Sequence, residues 1–114
     1  MSDEREGMLQ GTLELLILQI VSLQPIHGWG ITQRIEQMSR RVFVVNQGSL
    51  YPALERLTRK GWLRSEWRVT ESNRKARFYE VTAAGAKQLE AERASWERSS
   101  AAVNGILSWS GALP

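Results

Sequence analysis

The chain contains no cysteine, which excludes disulfides, thiolate-held metals and a cysteine nucleophile together. It has one histidine, His27, within Pro25-Ile26-His27-Gly28, a setting that suits a turn or capping residue better than a general base. No glycine-rich phosphate loop occurs, and no carboxylate pair stands apart from neighbouring charge. Phosphoryl transfer and two-carboxylate acid–base chemistry therefore have no carrier. Long apolar runs are missing too. Leu15–Leu18 is as long as they get, at four residues, before Gln19 interrupts, far short of the ~20 that a membrane-spanning helix needs. Met1 to Met8 is too charged and polar for a secretory leader. These absences predict a chain without catalytic activity, cofactor or metal, located in the cytoplasm.

What is present is an ordinary globular composition, 42% hydrophobic and 24% charged over 114 residues. That is enough for one domain with a modest core, to which a partner chain would add useful burial. The charge is unevenly placed. The net value is +3, yet Arg56 to Arg77 holds eight Lys/Arg against two acids, Glu66 and Glu71, while the remainder carries seven basic and ten acidic residues. Positive charge gathered on one short unit is the electrostatic footprint of a protein that lies against a phosphate backbone.

Periodicity places that unit. Residues 1–10 are polar and are expected to form a flexible N-terminus. Thr12 is a plausible N-cap for a helix ending near Leu23, with Leu13, Leu16, Ile17, Ile20 and Val21 at helical spacing and Leu15 and Leu18 apolar on its flanks. A helix apolar on more than one side must be covered on more than one side, so it is expected at the centre of the domain. A second helix is predicted from about Trp29 or Gly30 to Met38, burying Ile31, Ile35 and Met38. The third ends before Gly61, and its start stays open. Asn46 is a good N-cap, but Pro52 would then bend the helix, whereas a start at Ser49 puts Pro52 in the first turn. Leu63, Ser65, Trp67 and Val69 alternate with Arg64, Glu66 and Arg68 as a half-buried strand. A basic turn follows, then a second strand from Arg77 to Val81 with Tyr79 and Val81 inward. Thr82 then caps a long helix reaching about Ser108.

Three helices followed by a β-ribbon give the order of a winged helix-turn-helix: mainly α with a small ribbon over residues 11–81, then a C-terminal helix over 82–108 and a tail at 109–114. On the third helix Leu50, Leu54 and Leu57 form the core side, while Gly48, Pro52, Arg56 and Arg59 lie about half a turn away, flanked by Ser49 and Tyr51. Small or hydrogen-bonding residues in the first turns let a helix approach a major groove closely. Tyr51 packing at the base of the wing and Arg59 merely solvating the surface remain open. The ribbon tip, Asn73-Arg74-Lys75, suits backbone or minor-groove contact. In the last helix Leu89, Trp96 and Val103 recur every seven residues, with Arg93, Ser100 and Leu107 between them. That heptad-like seam predicts a homodimer, the alternative being a helix folded back onto the first helix of its own chain.

The segments LQGTLELLILQIVSLQPIHGWGITQRI, NQGSLYPALERLTRKGWL and RKARFYEVTAAGAKQL resemble the PadR family of bacterial transcriptional regulators, over roughly residues 8 to 109. The most specific pieces are the Pro-x-His-Gly turn at 25–28, Gly48-Ser49-Leu50-Tyr51-Pro52, and Tyr79-x-x-Thr82-x-x-Gly85. A single C-terminal helix resembles the short subfamily. The resemblance implies a dimeric repressor on double-stranded DNA, with the third helix in the major groove, the wing on the backbone, and Ser49, Tyr51 and Pro52 at the DNA. It also implies that Trp96 occupies the place where drug-sensing members stack flat aromatic effectors. Trp29 stands where the family usually has tyrosine, and Arg74-Lys75-Ala76-Arg77 replaces the usual Arg-Arg-Lys run.

The candidate DNA contacts are thus Gln47, Ser49, Tyr51, Pro52 and Arg56 of the third helix with Arg74, Lys75 and Arg77 of the ribbon. The candidate dimer seam is Leu89, Arg93, Trp96, Val103 and Leu107, with Trp96 lining either a ligand slot or a closed core. The competing readings are a winged-helix protein-interaction module with an incidental basic face, and a small-molecule binder built around Trp96.

Overall fold

The computed structural model describes residues 10–114; the expectation of a flexible start over 1–10 falls outside them except at Gln10, which is already helical. In chain order the elements are α1 (Gln10–Leu23), β1 (Ile26–His27), α2 (Gly28–Met38), α3 (Gln47–Arg59), β2 (Leu63–Val69), β3 (Lys75–Val81) and α4 (Ala83–Leu107). The three strands form one antiparallel sheet in the order β1-β3-β2. This is a winged helix-turn-helix with a long additional helix.

The core explains why α1 is central. Leu13, Ile17, Leu18, Ile20 and Val21 are buried over nearly half its circumference, against Ile31 and Ile35 of α2, Leu50, Leu54 and Leu57 of α3, Tyr79 of β3 and Leu89 of α4, with Leu15 and Leu16 packed against the same core on its flanks. Thr12 lies inside this helix rather than capping it. The apolar stripe of α2 stops at Ile35, because Met38 is exposed in the last turn.

The turn at Pro25–Gly28 does more than reverse the chain. Ile26 and His27 pair with Tyr79 and Phe78 as a short third strand, which two residues cannot announce through alternation. His27 then caps α2, its Nδ1 accepting the Gly30 N–H at 3.0 Å.

Helices α2 and α3 end in the same hydrogen-bond pattern with different residues. At α3, Gly61 takes φ 82, its N–H donates to the Thr58 carbonyl, and the Trp62 N–H donates to that of Leu57. At α2 the matching left-handed position is Arg40, φ 54, followed by Arg41 at φ 67. The Arg40 and Arg41 N–H groups donate to the carbonyls of Gln37 and Glu36. Glycine usually closes this motif because a Cβ is strained there.

Thr82 joins ribbon to last helix. Its Oγ1 accepts the Gly85 N–H at 3.0 Å and donates to the Gly61 carbonyl at 2.6 Å. A Cβ on Gly85 would lie 2.1 Å from the Trp62 carbonyl oxygen, so the first turn of α4 touches the backbone before β2 only because this residue has no side chain.

Candidate nucleic-acid interface

Asn46 starts the third helix. Its Oδ1 accepts the Ser49 N–H at 2.9 Å, with extended backbone at φ −88 and ψ 165. Ser49 is therefore the third helical residue, and Pro52 lies inside a helix that continues through it. Proline has no N–H to give the carbonyl four residues back, which is that of the exposed Gly48, where water reaches it. Gln47, Gly48, Ser49, Tyr51, Pro52, Glu55, Thr58 and Arg59 are all exposed on this helix, whereas Leu50, Ala53, Leu54 and Leu57 are buried.

Arg56 does not belong to the outward set. Its Nε–H donates to Glu14 Oε2 of α1 at 2.7 Å, and Lys60 Nζ lies 3.6 Å from Glu14 Oε1. Glu14 is buried to 6% exposure, and a buried carboxylate requires such partners. Arg56 thus ties the third helix to the first, with its side chain 29% exposed. In the sequence the sign of this partner is Glu14 standing as one acid inside the apolar segment Leu13–Leu18.

The same accounting reduces the charge open to a ligand. Arg59 pairs with Glu55 at 3.3 Å, Arg64 with Glu80 at 2.6 Å and Arg68 with Glu66 at 2.6 Å. Among the described residues, Arg74, Lys75 and Arg77 form no ion pair, and all three are exposed. Arg74 sits on the turn of the wing and Lys75 and Arg77 on β3 just after it; in the turn Asn73 takes φ 62 and its N–H donates to the Thr70 carbonyl at 2.9 Å. Arg77 stands over the Trp67 ring, 5.3 Å from its centroid. Trp67 and Val69 lie on the expected inner side of β2 but are exposed, since the ribbon runs past the edge of the body.

Two neighbouring pockets make up a trough between α3 and the sheet, and Tyr51, Arg77 and Tyr79 line both; Glu55, Thr58 and Arg59 border one, and His27, Trp29 and Trp67 the other. A Cβ on Gly28 would lie 2.8 Å from the Tyr51 hydroxyl and 3.1 Å from its ring, so the Tyr51 ring is laid against the start of α2. Burial raises the Tyr79 phenol above its ordinary 10.0, opposed by the Arg77 guanidinium beside it.

The last helix divides into two halves. Leu89, expected on a seam between chains, is buried in this chain's own core, and Arg93 Nη2 donates to Gln19 Oε1 of α1. The first half of α4 therefore folds back onto α1. Beyond it Trp96, Val103, Ile106, Leu107 and Trp109 are exposed, and a cavity of about 410 Å³ opens between Trp96 and Gly11, Thr12 and Leu15 of α1. Ile106 and Trp109 fall outside the seven-residue spacing and escaped notice for that reason.

No helix among the described residues is long and apolar enough to cross a membrane. Residues 17–91 match the transcriptional regulator PadR-like family. The chain is 36% identical over 88 residues to the transcriptional regulator Rv3488 of Mycobacterium tuberculosis, covering 77% of this chain and 78% of that protein. A PadR-like transcriptional regulator from Bacillus cereus superposes with a TM-score of 0.79 at 29% identity, covering 91% of this chain and 99% of the other. The crystal structure of smu.1704 from Streptococcus mutans superposes with a TM-score of 0.81 at 25% identity, covering 93% and 95% of the two chains. An exposed helix face beside the wing cations Arg74, Lys75 and Arg77 and a family match across most of the chain agree: this protein belongs to the PadR-like family of transcriptional regulators, DNA-binding proteins and not enzymes.

Proposed function

We propose that the chain is a cytoplasmic repressor that binds an inverted-repeat operator as a homodimer. The observation that carries this reading is the pairing of an uncovered α3 face, bearing Gln47, Ser49, Tyr51 and Pro52, with a wing whose Arg74, Lys75 and Arg77 have no acidic partner among the described residues. Helix α3 enters the major groove by its first two turns, and the wing cations hold the flanking backbone. Arg56, bonded to the buried Glu14, is assigned to positioning α3.

The exposed apolar half of α4 supports the dimer. A second copy covering Trp96, Val103, Ile106 and Leu107 would remove from water the surface that this chain leaves open. Two copies related by a two-fold axis present two equivalent recognition helices, so half-sites lie about 10 bp or a multiple apart. Footprinting of the intergenic DNA upstream of the coding gene tests this, with two symmetry-related protected half-sites as the expected result and a single half-site bound by a monomer as the contrary one. A protein-interaction module with an incidental basic face would show no steep salt dependence of DNA binding.

A second element of regulation is favoured by the cavity between Trp96 and α1. A flat aromatic effector stacked on Trp96 there would press on α1 at Gly11, Thr12 and Leu15, and α1 holds α3 through Glu14. Titration with planar aromatic dyes, following tryptophan emission and operator release together, tests it.

A further inference from the structure

We infer that Trp29 and Trp67 form an aromatic bracket for the sugar–phosphate backbone of duplex DNA, an inference that rests on the DNA-binding reading above. The two indoles come from different elements, one in the first turn of α2 and one on the ribbon strand β2. They line the same end of the trough beside α3. Trp29 is 60% exposed and Trp67 63%, so they do not close the trough by packing on each other. Large apolar rings left in water on a polar face mark a surface that is covered in use.

The chemistry between the rings selects the occupant. Tyr51, Lys75 and Arg77 line the same space as the indoles, and the two cations have no acidic partner among the described residues. Phosphate oxygens suit Lys75, Arg77, the Tyr51 hydroxyl and the indole N–H groups. Deoxyribose presents C–H faces against which indole rings bury area. Arg77, already over the Trp67 ring, holds its charge where a phosphate would lie. A second pocket, which shares Tyr51, Arg77 and Tyr79 with the first, lies farther along α3 at Thr58 and Arg59, and two neighbouring pockets fit an extended strand better than a small anion held at one point.

On this assignment the tryptophans supply affinity without reading bases, and they set where along the groove α3 comes to rest. Trp29→Phe and Trp67→Phe keep an aromatic ring in place, while the alanine variants remove it. Each alanine variant should weaken binding to operator and to a random-sequence duplex by about tenfold, the size of one lost side-chain contact to nucleic acid. Because the indole is uncharged, the salt slope should not change, whereas Lys75→Ala should flatten it. Duplex added to the parent should protect indoles from acrylamide quenching, and the protected fraction should fall in Trp29→Phe and Trp67→Phe. Parent-like affinity and protection in all four variants, with the parent still binding duplex, would overturn the bracket and leave the regulator reading standing. Failure of the parent to bind duplex at any salt would overturn both. Equal protection by a free mononucleotide, with displacement of duplex, would overturn the assignment to a continuous backbone.

Discussion

Arg56 and Glu14, 42 residues apart in sequence, join the third helix to the first through a 2.7 Å hydrogen bond between a guanidinium and a buried carboxylate. The bond runs between the helix proposed to face DNA and the helix at the centre of the core. Arg56→Ala leaves the carboxylate with Lys60 at 3.6 Å and the Gln10 amide at 3.3 Å. Stability should fall by about 1–3 kcal/mol, the cost of depriving a buried charged group of its main partner. Chemical denaturation measures it. An Arg56→Ala variant of parental stability that had lost operator affinity would return Arg56 to the DNA surface.

Tyr51 should behave in the opposite way. Tyr51→Ala should cost operator binding about 1–3 kcal/mol while leaving the denaturation midpoint near that of the parent, since half of the ring is already in water. Gly28→Ala approaches the same side chain from beneath, because the new methyl would meet the hydroxyl and ring. The tyrosine is 48% exposed, so outward displacement should cost affinity more than stability. Gel-shift titration beside thermal unfolding separates the two effects.

Replacing Arg74 and Lys75 together with alanine should weaken specific and random-sequence duplex alike and reduce the salt slope by roughly one to two units. Arg64 and Arg68, already paired with Glu80 and Glu66, should change that slope far less when replaced. A loss confined to one operator base pair would contradict a backbone role for the wing.

Trp96 discriminates two arrangements of the proposed dimer. With a slot at the two-fold axis, Trp96→Ala should abolish quenching by planar dyes and keep the dimer mass. With closed packing, the same change should dissociate the dimer. A variant that stays dimeric and quenches as the parent does would make Trp96 a surface residue.

Two glycine exchanges should move stability in opposite directions. Arg40→Gly relieves a left-handed arginine at the end of α2, offset by the extra freedom of glycine in the unfolded chain, for a gain of up to about 1 kcal/mol. Gly85→Ala drives a methyl into the Trp62 carbonyl and should cost at least about 2 kcal/mol, because neither the cap nor the strand entry can retreat alone. Melting temperatures of the two variants against the parent check both signs.

Local rules made much of this architecture legible in the sequence. Thr82 and His27 behave as the punctuation around them indicates, and the central place of α1 follows from apolar residues on several of its sides. What escaped are relationships between distant segments. The pairing of Ile26 and His27 with β3 is too short to leave an alternating pattern. The partnership of Arg56 with Glu14 cannot be seen on a helical projection of α3, which records direction around the axis and not what stands there. Trp67 follows the inward alternation faithfully, yet alternation cannot tell where the body under the strand ends. Leu89 fits a seven-residue seam and a core equally well, and only the packing of α1 decides between them.

The length of α4 has a mechanical consequence. At 1.5 Å per residue its 25 residues span about 37 Å, and the half that meets α1 shares one core with α3 through Leu89. In the proposed dimer, a pivot of about 5° at the distal half swings the far end by about 3 Å over that length. One base-pair step of duplex is about 3.4 Å. In that proposed dimer the gauge between two half-sites would be an angle, set where the copies cross.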